Sequence, residues 1–298
     1  MCGIVGYIES KKARLETIEK MANKIIHRGP DDFGYFVEGN CALGHRRLSI
    51  IDLENGKQPM ENDEGNLVIV FNGEIYNYLE LREDLKLSGY TFKTNSDTEV
   101  LIKGYQEWGT KVTTKLRGMF AFAIYDKEKK EIFLARDQWG IKPLYYGLFG
   151  KTFIFGSEIK AFIEHPDFVK EFNGDILSAY LCFNSVPTEE TFFKGVYRLQ
   201  PGHQLTYKNG KINIERFFKL EFEESDKLVI EPQKTSPEAA SDTDFLYSLS
   251  ACAVPRTSPR YFSRSPADNP PVYTRPPCTY GSSWHSPAKS PENWWLPH

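Results

Sequence analysis

The sequence predicts an α+β fold with four layers, an αββα sandwich in which two antiparallel sheets pack face to face and helices cover their outer surfaces. Short runs rich in β-branched and aromatic residues dominate the middle of the chain. Their links are short and polar, as at 127–130 and at Asn209–Gly210, which is typical of antiparallel hairpins. A run as apolar as 119–126 must be buried on both faces, and two segments with helical periodicity can cover the outer surfaces.

The predicted elements alternate in a definite order along the chain. A strand over 4–8 precedes a helix over 13–26, whose apolar residues share one face: Leu15, Ile18, Met21, Ala22 and Ile25. A second helix begins at Ser96, which forms a capping box with Glu99, and continues to Trp108. The other strands are predicted at 66–73, 119–126, 131–137, 144–147 and 152–156, and a final hairpin joins 204–208 to 211–218.

Composition and charge limit the class of protein. Hydrophobic residues make up 40% and aromatic residues 14% of the 298-residue chain, which is enough for a packed core. The 37 basic and 40 acidic residues give a net charge of −3, which excludes the basic excess that attracts nucleic acid or anionic lipid. Without a long apolar run or a leader-like N-terminus, we expect a cytoplasmic protein with no membrane partner. Five scattered cysteines without a CxxC pair predict neither a disulfide framework nor a metal site.

The chain changes character near residue 231. Of its 18 prolines, 12 lie in 231–298 together with 11 serines, and neither helical nor strand periodicity is found there. We therefore expect a folded domain over 2–225 and a disordered, Pro/Ser-rich tail over 226–298. Two interpretations of the tail stay open: a docking segment whose tryptophans contact a partner, or sequence introduced by a frameshift or a fusion.

Cys2 is the first candidate for chemistry. Removal of Met1 would place a thiol and a free α-amine on the same residue. Because an α-amine titrates near about 7.7–8.0, it can take the thiol proton at neutral pH, directly or through one water. The alternative is that Cys2 is a small buried hydrophobic residue without a chemical role.

Asn72 and Gly73 come at the end of an apolar strand, in the run FNGEIYN. An amide side chain and an unobstructed backbone N–H can converge there on a developing oxyanion, as acyl transfer requires. The same Asn-Gly pair is also the commonest hairpin turn, so a turn is the alternative.

Three charged residues could hold the two ends of an α-amino acid. Arg47 lies between apolar residues on a predicted strand and can bind a carboxylate through two hydrogen bonds. Glu74 and Asp97, the latter at the start of the helix that Ser96 caps, can hold an ammonium group. The alternative is that these are ordinary surface or ion-pair residues.

The order of the motifs resembles a known family. From the N-terminus they are MCGIVGYI, HRGPDDFG, GHRRLSIIDL, GKQPM, FNGEIYN, SDTEV, RGMFAFAIYD, ARDQWGIKPLYYG, FGSEIKA and LQPGH. Over residues 2–225 the chain resembles the class II glutamine amidotransferase domain of glutamine-hydrolysing asparagine synthetases. Glucosamine-phosphate synthases and amidophosphoribosyltransferases share the N-terminal cysteine and the Asn-Gly pair, but RRLSIID, GMFAFAIYD and SEIKA are similar to the asparagine synthetase branch.

The resemblance implies an N-terminal-nucleophile (Ntn) hydrolase fold and a set of residue roles. Cys2 would be the nucleophile with its own amine as base, and Asn72 and Gly73 would form the oxyanion hole. The residues that bind glutamine would be Arg47, for the α-carboxylate, Glu74 and Asp97, for the α-amino group, and the Asn72–Gly73 pair. Two further motifs would be structural: a loop at 28–30 near the site and a turn at 136–143 that faces a partner domain.

One departure from the family limits the expected activity. Asparagine synthetases continue into an ATP pyrophosphatase domain with an SGGxDS phosphate loop, and no such string occurs in this sequence. We therefore expect hydrolysis of glutamine to glutamate and ammonia without a cofactor, with ATP and Mg²⁺ used only by the missing synthetase domain. The alternatives are a folded but inactive module that binds a separate synthetase domain in trans, and a pseudo-protein.

Overall fold

The computed structural model of the chain describes residues 1–48 and 56–221. Within these ranges the chain forms two six-stranded antiparallel sheets and five α-helices. The predicted tail over 226–298 lies outside the described residues, as does the second half of the motif GHRRLSIIDL.

The first sheet carries the N-terminus of the chain. Its strands in spatial order are β10 (Val196–Arg198), β8 (Tyr145–Phe149), β9 (Thr152–Gly156), β1 (Gly3–Ile8), β3 (Cys41–Arg47) and β2 (Asp32–Glu38). Strand β1 pairs with β3 from Gly3 opposite Arg46 to Ile8 opposite Cys41. This register places Cys2, the residue before β1, next to the end of β3.

The second sheet is built around a long central hairpin. Its strands in spatial order are β12 (Lys211–Arg216), β11 (His203–Lys208), β7 (Glu131–Arg136), β6 (Gly118–Asp126), β5 (Leu67–Ile75) and β4 (Met60–Glu61). Strand β5 pairs with β6 along its whole length, whereas β4 reaches only to Ile69. The predicted turn between β11 and β12 forms, and Asn209 and Gly210 both have positive φ, at 49° and 79°.

Helices cover the outer face of each sheet. They are α1 (Leu15–Asn23), α2 (Tyr78–Leu87), α3 (Asp97–Trp108), α4 (Val112–Lys115) and α5 (Leu177–Phe183). Helix α1 buries Ile18 and Met21 in a cluster with Val5 of β1, and α3 buries Ile102 in a cluster with Ile69 of β5. None of the helices in the described ranges is long and apolar enough to cross a membrane.

A third apolar cluster lies between the sheets and draws on both. Its members include Ile4, Leu43, Phe153 and Phe155 from the first sheet and Val68, Val70, Ala121 and Ala123 from the second. Because side chains alternate along a strand, β5 sends Val68 and Val70 inward and Ile69 outward to the helices. The predicted αββα sandwich is therefore confirmed.

The two predicted helices form with differences at their ends. Helix α1 begins at Leu15, whose side chain is 50% exposed and so does not belong to the buried face. At α3 the hydroxyl of Ser96 accepts a hydrogen bond from the N–H of Thr98 at 3.1 Å, as a cap does. The carboxylate of Glu99, however, accepts from the backbone N–H groups of Lys93 and Thr94. The predicted capping box is therefore only half formed: Ser96 caps the helix, but the Glu99 carboxylate binds the loop before the helix and not the N–H of Ser96.

Several elements were missing from the prediction, among them strand β2 and helix α2; the others are β4, β10, α4 and α5. Strand β2 lies at the edge of its sheet and is half-buried, so it has no continuous apolar run. Helix α2 buries only Leu81 and Leu85, while Leu79 and Leu87 are exposed. Its apolar stripe is too narrow for the periodicity that predicted α1 and α3.

Candidate active site

A pocket opens to solvent beside the start of β1, with about 440 Å³ of empty space when its open mouth is included. It is walled by the ends of β1 and β3, by β5, and by the first turn of α3. Five of the six predicted site residues line it: Cys2, Arg47, Gly73, Glu74 and Asp97. The sixth, Asn72, precedes Gly73 on β5 and is buried, with 1% of its surface exposed. The fold therefore brings together residues from four separate motifs.

Cys2 is held by contacts on both its side chain and its backbone. Its Sγ accepts a hydrogen bond from the N–H of Leu48 at 3.4 Å and lies 3.6 Å from the carbonyl oxygen of the same residue. Its own carbonyl oxygen accepts a hydrogen bond from Nε of Arg28 at 2.9 Å. Arg28 belongs to the loop that was predicted to lie near the site, and its guanidinium reaches the candidate nucleophile.

Arg28 is itself anchored by Glu158. Oε1 of Glu158 lies 3.0 Å from Nη1 of Arg28 and 2.8 Å from Nε2 of His27. The other oxygen, Oε2, lies 3.0 Å from Nζ of Lys160. Although burial opposes ionisation, hydrogen bonds from Lys160, Arg28 and His27 lower the pKa of Glu158 to about 2. Glu158 is therefore an anion at physiological pH, and it anchors the guanidinium that binds the Cys2 backbone.

The Asn-Gly pair lies within β5, so the alternative of a hairpin turn is wrong. Strand β5 continues two residues further than predicted, to Ile75, and pairs Gly73 with Phe120. A Cβ on residue 73 would lie 2.2 Å from the carbonyl oxygen of Met119, so only glycine allows this close pairing. The amide nitrogen of Asn72 is buried and has no hydrogen-bond partner among the described residues. A buried donor of this kind is rare and is suited to an acceptor that arrives with a ligand.

Asp97 joins the start of α3 to the end of β5. Its Oδ2 accepts a hydrogen bond from the backbone N–H of Ile75 at 3.1 Å. Burial raises the pKa of Asp97 to about 6, with a further contribution from the negative charge of Glu74, while hydrogen bonds from the N–H groups of Ile75 and Thr98 act in the opposite direction. A ligand with a positive charge would relieve this unfavourable environment and favour the carboxylate.

Charges of both signs meet in the pocket. Arg47 is the last residue of β3 and is buried. It lines the pocket together with the half-buried Glu74 and the buried Asp97. One guanidinium and two carboxylates in a single pocket can bind both charged ends of a free α-amino acid.

Gln58 is a pocket residue for which the sequence predicted no role. Its Oε1 accepts a hydrogen bond from the N–H of Phe71 at 2.6 Å, and its Nε2 donates to Oγ1 of Thr98 at 3.2 Å. Gln58 therefore connects the strand of the Asn-Gly pair to the helix of Asp97. The motif GKQPM contains it, but a neutral side chain that binds backbone has no distinctive sequence signal.

His45 is a second residue that the prediction did not include. It faces the space between the sheets from β3, it is 1% exposed, and its Nε2 lies 3.1 Å from the carbonyl oxygen of Phe71. Burial lowers the pKa of His45 to about 4, and the charge of Arg47 acts in the same direction. The ring is therefore neutral at physiological pH.

A group of possible metal ligands lies away from this pocket. In the part of the chain that the structure describes, ligand atoms of Glu9, His165 and Asp167 lie within 4.8 Å of one another. The backbone N–H of Asp167 donates to Nδ1 of His165 at 3.2 Å, whereas Nε2 of the same ring is buried without a hydrogen-bond partner among the described residues. None of these three residues lines the pocket of Cys2.

Comparisons with known proteins agree with this geometry. The glutamine amidotransferase domain family matches residues 1–218. The chain is 43% identical over 241 residues to the glutamine-hydrolyzing asparagine synthetase 1 of Bacillus subtilis, and 39% identical over 229 residues to asparagine synthetase 3 of the same organism. These alignments cover 78% and 75% of this chain but only 38% and 37% of the relatives. The chain thus spans less than two fifths of the length of these curated relatives.

A solved structure shows the same fold. The glutamine phosphoribosylpyrophosphate amidotransferase of B. subtilis, in complex with ADP and GMP, aligns with a TM-score of 0.55 at 23% identity, covering 73% of this chain and 49% of that one. This likeness supports the predicted Ntn-hydrolase fold.

Proposed function

Because this chain belongs to the glutamine amidotransferase domain family, in its asparagine synthetase branch, we propose that it hydrolyses glutamine to glutamate and ammonia. The observation that carries the proposal is the pocket, in which a cysteine thiol lies with a guanidinium and two carboxylates that match the ends of glutamine. Each of these residues has an ordinary interpretation by itself, but ordinary surface residues would not converge on one pocket from four motifs.

The nucleophile in the proposed reaction is the thiol of Cys2 after Met1 has been removed. Met1 is 56% exposed and so is accessible to an aminopeptidase. The freed α-amine takes the thiol proton, and the sulfur attacks the side-chain amide carbon of glutamine. The carbon–nitrogen bond then breaks, the α-ammonium returns the proton to the leaving nitrogen, and ammonia departs. Water attacks the resulting thioester, releases glutamate and restores the thiol.

The oxyanion of the tetrahedral intermediates would bind to β5. The amide nitrogen of Asn72 is buried without a partner within the described residues, and a new negative oxygen would satisfy it. The backbone N–H of Gly73, a residue that lines the pocket, is the second proposed donor. Since both proposed donors belong to the paired strand β5, they would be in place before the substrate arrives, which is the arrangement that stabilises a transition state best.

The α-amino acid end of glutamine would bind to the charged residues that line the pocket. Arg47 would pair with the α-carboxylate, and Glu74 and Asp97 with the α-ammonium. The incoming positive charge would lower the raised pKa of Asp97 and make the pair stronger. Amides without both charged groups would leave buried charges unpaired and would be rejected.

Glutamine hydrolysis in this pocket needs no metal or cofactor, because a thiol, an amine and hydrogen-bond donors supply the whole reaction. In longer relatives named asparagine synthetases, the additional length would hold the domain that uses the ammonia. We propose that this chain delivers ammonia to such a synthetase domain, which could bind in trans and would bring its own ATP and Mg²⁺.

The test is an ammonia and glutamate assay on the full chain, with intact-mass analysis of its N-terminus. We expect glutamine-dependent ammonia release only from protein that begins at Cys2, and none from Cys2→Ala. Full activity with Met1 retained would overturn the base mechanism. A correctly processed chain that binds glutamine without releasing ammonia would instead favour the inactive module.

A further inference from the structure

The two halves of the proposed catalytic apparatus belong to different sheets. Cys2 immediately precedes β1 of the first sheet, whereas Asn72 and Gly73 lie on β5 of the second. The sheets meet mainly through an apolar cluster, and apolar contact is non-directional. Apolar packing alone would therefore leave the distance from the thiol to the oxyanion donors loosely fixed.

His45 makes a directional connection at this point. It pairs with Ile4 in the β1–β3 ladder, and Ile4 lies two residues after Cys2. Its Nε2 reaches across the interface to the carbonyl oxygen of Phe71, the residue before Asn72, at 3.1 Å. A carbonyl oxygen can only accept, so Nε2 carries the proton and donates it.

This hydrogen bond acts on the peptide that leads into Asn72. The carbonyl of Phe71 and the N–H of Asn72 belong to one planar unit, so fixing the oxygen also fixes the direction in which Asn72 departs. The backbone N–H of Phe71 is also bound, since it donates to Oε1 of Gln58 at 2.6 Å. Because the pairing with β4 reaches only to Ile69, the side chains of His45 and Gln58 hold the backbone of β5 where the neighbouring strand no longer does.

The protonation state of His45 suits this role. Its ring is buried, Nδ1 has no hydrogen-bond partner among the described residues, and the pKa is lowered to about 4. The groups facing it are the carbonyl of Phe71 and the charges of Arg47 and Asp32, of which Arg47 disfavours a second proton. The ring therefore stays a neutral donor with a single fixed orientation.

We propose that His45 is a positioning residue for the glutaminase reaction: its Nε2–H bond to Phe71 sets where the oxyanion donors of Asn72 and Gly73 stand relative to Cys2. This inference rests on the proposed function. His45 does not line the pocket, so it acts through Phe71 and not on the substrate.

The test compares three variants of the full chain. His45→Phe keeps a ring but cannot donate, His45→Gln keeps an N–H donor, and Leu43→Met changes packing two residues away on the same inward face of β3. Since loss of an oxyanion donor lowers kcat by about 10²–10³-fold, we expect His45→Phe to lower kcat by about 10–100-fold. KM should stay within about threefold, since ground-state contacts are retained. His45→Gln should recover part of the loss, and Leu43→Met should keep the wild-type kcat.

Two further measurements separate positioning from general damage. In a Cys2→Ala background, the affinity for glutamine should be the same with His45 and with Phe at that position. An ¹⁵N NMR spectrum of histidine-labelled protein should show His45 as the neutral Nε2–H tautomer, and this readout does not depend on activity or on the variants folding.

The results that would overturn the inference are distinct from those that would overturn the proposed function. Wild-type kcat in folded His45→Phe, an equal loss in Leu43→Met, or an Nδ1–H tautomer would each contradict the role of His45. Failure of the proposed function would appear in the wild type, as ammonia release no greater than that of Cys2→Ala.

Discussion

The space between the two sheets is filled in two different ways along the same strands. The inward-facing residues are, in order, Cys41, Leu43, His45 and Arg47 on β3, and Val68, Val70 and Asn72 on β5. One end is an apolar core, and the other is a buried polar site, although β1 stays paired with β3 and β5 with β6. The candidate active site therefore differs from the core in side-chain type and in the end of the β4 pairing at Ile69.

The two ends also differ in how well their polar groups are satisfied. At the polar end, the Nδ2 of Asn72 and the Nδ1 of His45 are buried without partners among the residues described. An unsatisfied buried group destabilises a fold by about 1–3 kcal/mol, so such groups persist where they are useful to a ligand. We expect substitutions at the polar end to change activity and those at the apolar end to change stability.

The largest expected difference concerns two cysteines at opposite ends. Cys2→Ser should lower ammonia release by several orders of magnitude, because a hydroxyl is far less acidic than a thiol, and should leave the melting temperature unchanged. Cys41→Ser, at a fully buried position of the apolar end, should lower the melting temperature and retain the turnover of the folded fraction. Ammonia assays and thermal unfolding of both variants measure these effects on turnover and melting temperature. Unchanged turnover in Cys2→Ser would exclude Cys2 as the nucleophile.

The next effect separates neighbours on β5. Asn72→Ala should lower kcat by about 10²–10³-fold with little change in KM, and should not destabilise the fold because it removes an unsatisfied donor. Val70→Ala should instead reduce the free energy of unfolding by about 2 kcal/mol and leave kcat unchanged. Steady-state kinetics and denaturant unfolding are the measurements. An effect of Asn72→Ala on KM alone would remove it from the oxyanion hole.

A smaller effect is expected from Asp97→Asn. This change keeps an oxygen for the N–H of Ile75 but removes the negative charge that would pair with the substrate ammonium. We expect KM for glutamine to rise by the equivalent of about 2 kcal/mol, the low end for losing one partner of a buried charge pair, since Glu74 remains. Substrate titration checks this, and a loss confined to kcat would count against a role in recognition.

The smallest effect is a dependence on pH. The pKa of Asp97 is about 6, so its carboxylate becomes protonated as the pH falls through 6 and can no longer pair with an ammonium. The proposed α-amine base already makes kcat/KM fall below about pH 8, and below pH 6 we expect a further decline of up to about tenfold per pH unit. A profile recorded at constant ionic strength should show the inflection in the wild type and not in Asp97→Asn. Persistence of the inflection in that variant would assign it to another group.

The parts of the site that sequence could predict are those with a distinctive side chain or motif. Cys2, Arg47, Glu74 and Asp97 carry charge or nucleophilicity, and the structure places all of them on one pocket with Gly73. The strands with long apolar runs were also predicted, because burial on both faces leaves a clear pattern.

What sequence could not predict depends on backbone contacts made at a distance. His45 and Gln58 both bind the peptide of Phe71, which is 26 and 13 residues away along the chain. Neither contact leaves a periodic or charged pattern. The half-formed capping box has the same origin, since Glu99 binds backbone N–H groups of the loop before the helix, at Lys93 and Thr94.

The close approach at Gly73 has a consequence for how such a protein can be modified. At Gly73, where a Cβ would lie 2.2 Å from the oxygen of Met119, the lining of the pocket is main chain and offers no side chain to exchange. The other lining residues include Arg47, Glu74 and Asp97, whose side chains can be exchanged. An engineer, or natural selection, can therefore alter which amide is admitted while the N–H group proposed to bind its oxyanion stays where the β5–β6 pairing puts it.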